Sequence, residues 1–299
     1  MPDQKKENRL ALLSALGGNA IWGFSFLFTR TALKVIGQPA VLLSMRFIIA
    51  FCIMSAMLLL GRAKVNFKGK QLLPLLFLGI VEPMCYLLET YGILYTNATV
   101  AGVVMAVSPI ASIVMAAIFL HEIPTRGQML FCLLPVAGVI CITVAGSDLG
   151  VVTTIGMLLL LGNCLMGGAY RTANRKSAET FTPFERTYAV VTVSAVSFFI
   201  MAMLQLKGDM SAYLAPLAEP SYLASLLVLS VFCSVVAYLL VNYGSGRMSV
   251  AKMATCGAVS TVCSTFAGVV LLHEPVSALM LLGAALIVVG VWLVTRSGK

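Results

Sequence analysis

Four charged side chains interrupt otherwise apolar sequence: Arg46, Glu82, Glu89 and Lys252. At the middle of a membrane helix a charge costs about 2.5–3.5 kcal/mol on insertion scales, so it is kept where it faces a partner or a wet cavity. Glu82, Tyr86 and Glu89 are spaced i, i+4, i+7 and share one helical face. Counting from Leu72 at about 1.5 Å per residue, Glu82 lies roughly 15 Å deep, near the middle of a ~30 Å hydrocarbon core. A carboxylate at that depth can hold an amine or carry a proton. It can also be structural, hydrogen-bonded to a backbone group left free beside Pro83. Arg46 and Glu89 each lie about six residues, or ~9 Å, from the outer ends of their helices. This shared level predicts a structural ion pair, with direct ligand contact as the alternative. Lys252, near the start of its helix, either snorkels into headgroups or meets an anionic group, or Glu82, at the inner mouth.

Uncharged residues add to this set. Asn19, Trp22 and Phe26 recur at i, i+3, i+7, and an offset of 144 brings Asn163, Met166 and Tyr170 to the equivalent places. Trp22, Tyr86 and Tyr238 would form an aromatic wall for apolar side chains or for a cation over a ring face; ordinary helix packing uses the same residues. Pro83, Pro109 and Pro135 and the glycines Gly17, Gly18, Gly162, Gly167 and Gly168 interrupt long apolar runs. They read either as hinges or as sites of close helix approach, with Pro109 the better hinge candidate.

The elements that position these residues follow from composition. The 299 residues are 60% hydrophobic and 10% charged, with a mean hydropathy of +1.00, whereas a soluble domain carries about 25% charge. Apolar stretches at approximately 10–29, 40–60, 71–95, 97–120, 127–145, 151–170, 184–206, 222–244, 248–272 and 277–295 predict ten membrane helices and exclude a large soluble domain. The first is read as a permanent span and not as a signal peptide. The eight cysteines fall in apolar runs with no CxxC pair and read as small buried hydrophobes. With the N-terminus inside, the inner segments carry 14 basic residues and the outer ones 3. Both termini are therefore expected to be cytoplasmic, and the net charge of +9 is explained without nucleic acid.

The chain also repeats itself. Besides the offset of 144, Tyr86-Leu87-Leu88 with Tyr91-Gly92 matches Tyr238-Leu239-Leu240 with Tyr243-Gly244 at 152, as His121-Glu122 matches His273-Glu274. Two halves, 1–145 and 146–299, each hold five helices, an odd number, so the second is expected upside down relative to the first. The sequence resembles the drug/metabolite transporter superfamily, specifically its EamA-type members. The resemblance is carried by Asn19-Ala20-Ile21-Trp22-Gly23-Phe24-Ser25, Leu43-Ser44-Met45-Arg46-Phe47, Tyr91-Gly92-Ile93-Leu94-Tyr95-Thr96-Asn97-Ala98, Ser108-Pro109-Ile110 and the two His-Glu helix ends. It implies an all-α integral membrane fold of ten transmembrane helices in two inverted five-helix repeats. It further implies a central cavity walled mainly by helices 1, 3, 4, 6, 8 and 9, and transport of small metabolites, often export of amino acids. Trp22 and Arg46 are not duplicated in the second half.

Other chemistries lack their residues. There is no GxxxxGK[ST] loop for a phosphate. The inverted topology places His121 and His273 on opposite sides of the bilayer, so no catalytic residue, metal or cofactor is expected. The expectation is a multi-pass secondary transporter of the cytoplasmic membrane that alternates access to a small polar or amphipathic metabolite. An amino acid or amine-bearing compound is preferred, with export as the direction and protons as an optional coupling ion. A lipid flippase or a channel-like pore on the same scaffold remains the alternative. The expected substrate-binding set is Asn19, Trp22, Glu82, Tyr86, Asn163, Tyr170, Tyr238 and Lys252.

Overall fold

The computed structural model describes the main chain of residues 2–108, 110–111, 125–131, 133–148, 152–248 and 250–297. Pro109, His121, Glu122 and the side chain of Lys252 lie outside the described residues. Among the described residues regular structure is entirely helical: α1 (Pro2–Ile36), α2 (Pro39–Leu59), α3 (Leu73–Leu94), α4 (Ala98–Met105), α5 (Arg126–Phe131), α6 (Leu133–Asp148), α7 (Thr154–Ser177), α8 (Pro183–Gln205), α9 (Met210–Leu214), α10 (Pro220–Val228), α11 (Ala237–Ser245), α12 (Val250–Phe266) and α13 (Ala278–Ser297). A π-helical stretch, Leu229–Val236, joins α10 to α11 as one rod, and a second, Ala267–Leu271, extends α12.

Local chemistry sets the helix starts. Proline occupies the first turn of α2, α3, α8 and α10, where its missing N–H has no intrahelical acceptor. Asn97 caps α4 and Thr153 caps α7 through their side-chain oxygens. Thr182 and Glu185 form a reciprocal capping box on α8. The Glu185 carboxylate also accepts from the Asn66 N–H at 2.8 Å and from Lys70, pinning the 60–72 connection. Gly37, at φ +60°, turns the chain between α1 and α2 in a conformation that disfavours a side chain.

Five stretches, Arg9–Ile36, Pro39–Leu59, Leu73–Leu94, Pro183–Gln205 and Pro220–Ser245, are long and apolar enough to cross a membrane, and shorter apolar helices include Ala278–Gly290. Polarity is arranged inside out. On α3 the exposed residues are Leu73, Leu76, Phe77, Ile80 and Met84, whereas Glu82 and Tyr86 are buried. The chain is thus a multi-pass membrane protein whose apolar faces look outward and whose polar faces meet inside.

Helix pairing crosses between the halves. α3 packs along α7 and α8; α1 packs along α12 and the α10–α11 rod; α2 pairs with α8, α6 with α13, and α4 with α12. Small residues set several crossings. A Cβ on Gly138 would lie 2.5 Å from the Gly283 carbonyl, and one on Gly283 2.6 Å from the Gly138 carbonyl. Close backbone contact of this kind is what small residues provide between membrane helices.

Candidate functional site

A cavity of about 520 Å³ lies between α1, α3, α4, α7, α11, α12 and α13. It is within the size range of small-molecule sites, about 300–1,000 Å³. The wall includes Asn19, Trp22 and Phe26 from α1, Glu82, Tyr86 and Glu89 from α3, and Asn163 and Tyr170 from α7. The stripes expected at an offset of 144 thus contribute two of their three pairs; Met166, opposite Trp22, does not line the cavity.

Most of these side chains are held by a named partner. Glu82, 7% exposed, accepts a hydrogen bond from the Tyr238 hydroxyl. Tyr238 itself is fully buried behind the wall and meets Trp22 edge to face at 5.2 Å between ring centroids. It therefore acts on the cavity through Glu82 and Trp22, not as part of the lining. Pro83 stands inside α3, which continues unbroken as an α-helix on both sides of it. The Trp22 indole N–H donates to the Cys233 carbonyl at 3.0 Å. Asn19 donates to the Ala15 carbonyl at 2.7 Å, and Asn163 donates to the Glu89 carboxylate at 3.2 Å.

The direct ion pair expected between Arg46 and Glu89 is not formed. Among the described residues, Lys70 and Glu185 make the one ion pair within 4.0 Å. Arg46 instead donates Nε to Ser234 Oγ at 2.7 Å and Nη2 to the Tyr86 hydroxyl at 3.3 Å, and lies 4.6 Å over the Tyr86 ring. Shared depth was the basis of the expectation, but depth leaves open which way each side chain turns. Tyr86 and the π-helical stretch of the α10–α11 rod, which supplies Ser234 and Cys233, offer Arg46 and Trp22 nearer partners. A π-helical stretch displaces the regular i→i−4 pattern, and such stretches recur at functional sites.

The cavity also contains residues that the apolar pattern alone assigned to a loop. Arg171 and Arg175 lie on α7, 8 and 12 residues after Asn163, on the face that lines the cavity. Arg171 Nη2 donates to the Ser108 carbonyl at 3.1 Å and Arg175 Nη1 to the Gly246 carbonyl at 3.2 Å. Continuing the helical spacing past Tyr170 would have found both. Arg186 of α8, 1% exposed, ties one end of the cavity together. Its guanidinium donates to Asn174 O and Oδ1 at 3.0 and 2.8 Å, to Ser245 Oγ at 3.2 Å and to the Asn242 carbonyl at 2.7 Å. On α1, Arg30 plays a comparable part, donating to the Ile93 and Leu94 carbonyls at the end of α3. Glu274, from one His-Glu pair, accepts from the N–H groups of Ala98 and Thr99 and from the Thr99 hydroxyl at 2.7–3.0 Å, closing the N-terminus of α4.

Outward apolar faces around a mixed-charge cavity of small-molecule size define a polytopic membrane protein with a candidate site between its helices. The chain belongs to the EamA-like transporter family, whose pattern matches it twice, over residues 9–144 and 154–296. It is 33% identical over 291 residues to the uncharacterized transporter YcxC of Bacillus subtilis, covering 96% of this chain and 93% of that one. A probable terminal-alkyne amino-acid exporter of Streptantibioticus cattleyicolor is 26% identical over 211 residues, 70% of this chain and 68% of that one. A solved crystal structure with 18% identity superposes at a TM-score of 0.65 over 96% of this chain and 97% of its own, a likeness of fold alone.

Proposed function

We propose that the protein is a secondary transporter that exports a small amine-bearing metabolite, an amino acid in the preferred case, through the cavity centred on Glu82. One observation carries the reading: two carboxylates, Glu82 buried and Glu89 half-buried, and an aromatic wall of Trp22 and Tyr86 face one cavity. The carboxylates attract an ammonium group, and the rings accept either the cation or an apolar side chain. The relative in Streptantibioticus cattleyicolor, described as a probable amino-acid exporter, supports the same substrate class.

The scaffold suits alternating access. The family pattern occurs twice, and helix pairing keeps its form when the halves are exchanged: α3 against α7 corresponds to the α10–α11 rod against α1, while α2–α8, α4–α12 and α6–α13 correspond to themselves. Two inverted five-helix repeats, ten spans and cytoplasmic termini follow as the topology of this reading, consistent with basic residues concentrated on one side. Glu82 binds the substrate amine in one half of the cycle and a returning proton in the other. The substrate set also includes Asn19, Asn163, Tyr170 and, at the inner mouth, Lys252; Pro109 is the hinge.

Thermal stabilisation of the purified protein against amino acids, amines, organic anions and lipids tests the substrate class, because a ligand of the folded state raises its apparent stability. Stabilisation by an amine or amino acid that disappears in Glu82→Gln is the expected result. Stabilisation only by organic anions or only by lipids would overturn the reading, the latter in favour of a flippase.

A further inference from the structure

We infer that Arg46 is a positioning residue of the substrate site: from α2, outside the cavity, it bridges the π-helical stretch of the α10–α11 rod to the Tyr86 hydroxyl and so fixes how the Tyr86 ring stands beside Glu82. The inference rests on the amine-site reading above and names the part of the protein that orients its groups.

Among the described residues lining the cavity, none comes from α2. Arg46 nevertheless reaches a residue that does. It is 2% exposed, and its Nε donates to Ser234 Oγ at 2.7 Å while its Nη2 donates to the Tyr86 hydroxyl at 3.3 Å. The guanidinium also lies 4.6 Å from the centroid of the Tyr86 ring, so the ring is held by its face as well as by its hydroxyl. Phe47, the next residue on α2, meets the same ring edge to face at 5.0 Å between centroids. A guanidinium is planar and its donors stand at fixed angles, so a bridge through it transmits position as well as charge.

The far end of that bridge is where the other recognition groups are tethered. Beside Ser234 is Cys233, whose carbonyl accepts from the Trp22 indole at 3.0 Å. Four residues further on is Tyr238, whose hydroxyl donates to the Glu82 carboxylate. Trp22, Glu82 and Tyr86 all line the cavity, and all three are tied to one short segment, Cys233–Tyr238, which crosses the junction between the π-helical stretch and α11. Trp22 and Glu82 are tied to it directly, whereas Tyr86 is tied through Arg46. Recognition groups bind well when neighbouring contacts fix their orientation beforehand, because less freedom is lost when the ligand arrives. Packing alone would not require Arg46 to join a cavity residue to the neighbour of the Trp22 acceptor.

Replacing Arg46 itself would remove a buried cation together with the bridge, so the test uses the two hydroxyls at its ends. Ser234→Ala and Tyr86→Phe each delete one oxygen atom and add no volume. Equilibrium binding of leucine, phenylalanine and phenethylamine to the purified full-length protein is measured for wild type, both variants and the double variant, with thermal unfolding of the same samples. Wild type is expected to bind at least one of the three. For that ligand each single variant should raise Kd about three- to tenfold, the effect of one hydrogen bond. The double variant should bind no more weakly than Tyr86→Phe alone, because both changes sever the same bridge. Ser234→Ala binding as tightly as wild type, whatever its unfolding temperature, would overturn the positioning role and leave the amine site standing. Losses that multiply in the double variant would overturn it too, since the hydroxyls would then act independently. Wild type binding none of the three would remove the amine-site reading and this inference with it.

Discussion

Replacing Gly23 with alanine places a methyl group where α1 crosses α12 with almost no clearance. The new Cβ would lie 2.6 Å from the Ser260 carbonyl oxygen, 2.6 Å from Cys263 Cβ and 2.9 Å from Ser260 Cα. Two of the three obstacles are backbone atoms, so no side-chain rotation relieves the clash and the helices must part. Small-to-large changes in close-packed sites cost about 1–3 kcal/mol. Against this, alanine is favoured over glycine in a helix interior by about 1 kcal/mol. Gly17 supplies the control, since it lies on the same helix and a Cβ there would meet nothing within 4 Å among the described residues. Comparing Gly23→Ala with Gly17→Ala cancels the propensity term and isolates the crossing, with an expected difference of about 1–3 kcal/mol. Thermal unfolding of both variants in the same detergent, followed by circular dichroism, reads it. Gly23→Ala should unfold at a clearly lower temperature than Gly17→Ala and should bind substrate more weakly, because Gly23 adjoins Trp22. Equal unfolding temperatures would refute the close crossing.

Two further outcomes follow from individual contacts. Arg186→Met strips four hydrogen bonds from Asn174, Asn242 and Ser245; stranding buried acceptors costs about 1–3 kcal/mol apiece before relaxation. A marked loss of thermal stability is expected, larger than for Asn174→Ala, and stability equal to wild type would show that the cluster holds nothing together. Glu274→Ala removes the carboxylate that closes the start of α4, and a loss of about 0.5–2 kcal/mol in a stability measurement is expected. Glu274→Gln, which keeps an acceptor, should lose less, and identical losses would argue against a capping role.

Much of the cavity wall was legible in the sequence because two local rules converge on it. Helical spacing placed Glu82, Tyr86 and Glu89 on one face, and the membrane cost of charge marked that face as inward. Internal repetition likewise brought Asn19 with Asn163, and Phe26 with Tyr170, to the same cavity. What was not legible depends on partners chosen in three dimensions. Arg46 takes Ser234 and Tyr86 in place of Glu89, a choice made by an irregular helical stretch that hydropathy does not reveal. Arg171 and Arg175 looked like loop residues because the apolar run ends near residue 170, yet α7 continues to Ser177 and carries them along the cavity. Glu274 looked like the end of one helix, yet its carboxylate accepts from the first N–H groups of another, beside the Asn97 cap.

Flux across reconstituted vesicles addresses the cavity as the substrate path most directly. Vesicles carrying the protein are loaded with radiolabelled amino acids, and efflux is followed for wild type, Glu82→Gln and the Gly17→Ala control. Saturable efflux of at least one amino acid by wild type and Gly17→Ala, abolished or freed of its pH dependence in Glu82→Gln, is the predicted result. Undiminished efflux by Glu82→Gln with an unchanged pH dependence would contradict a carboxylate-centred transport site.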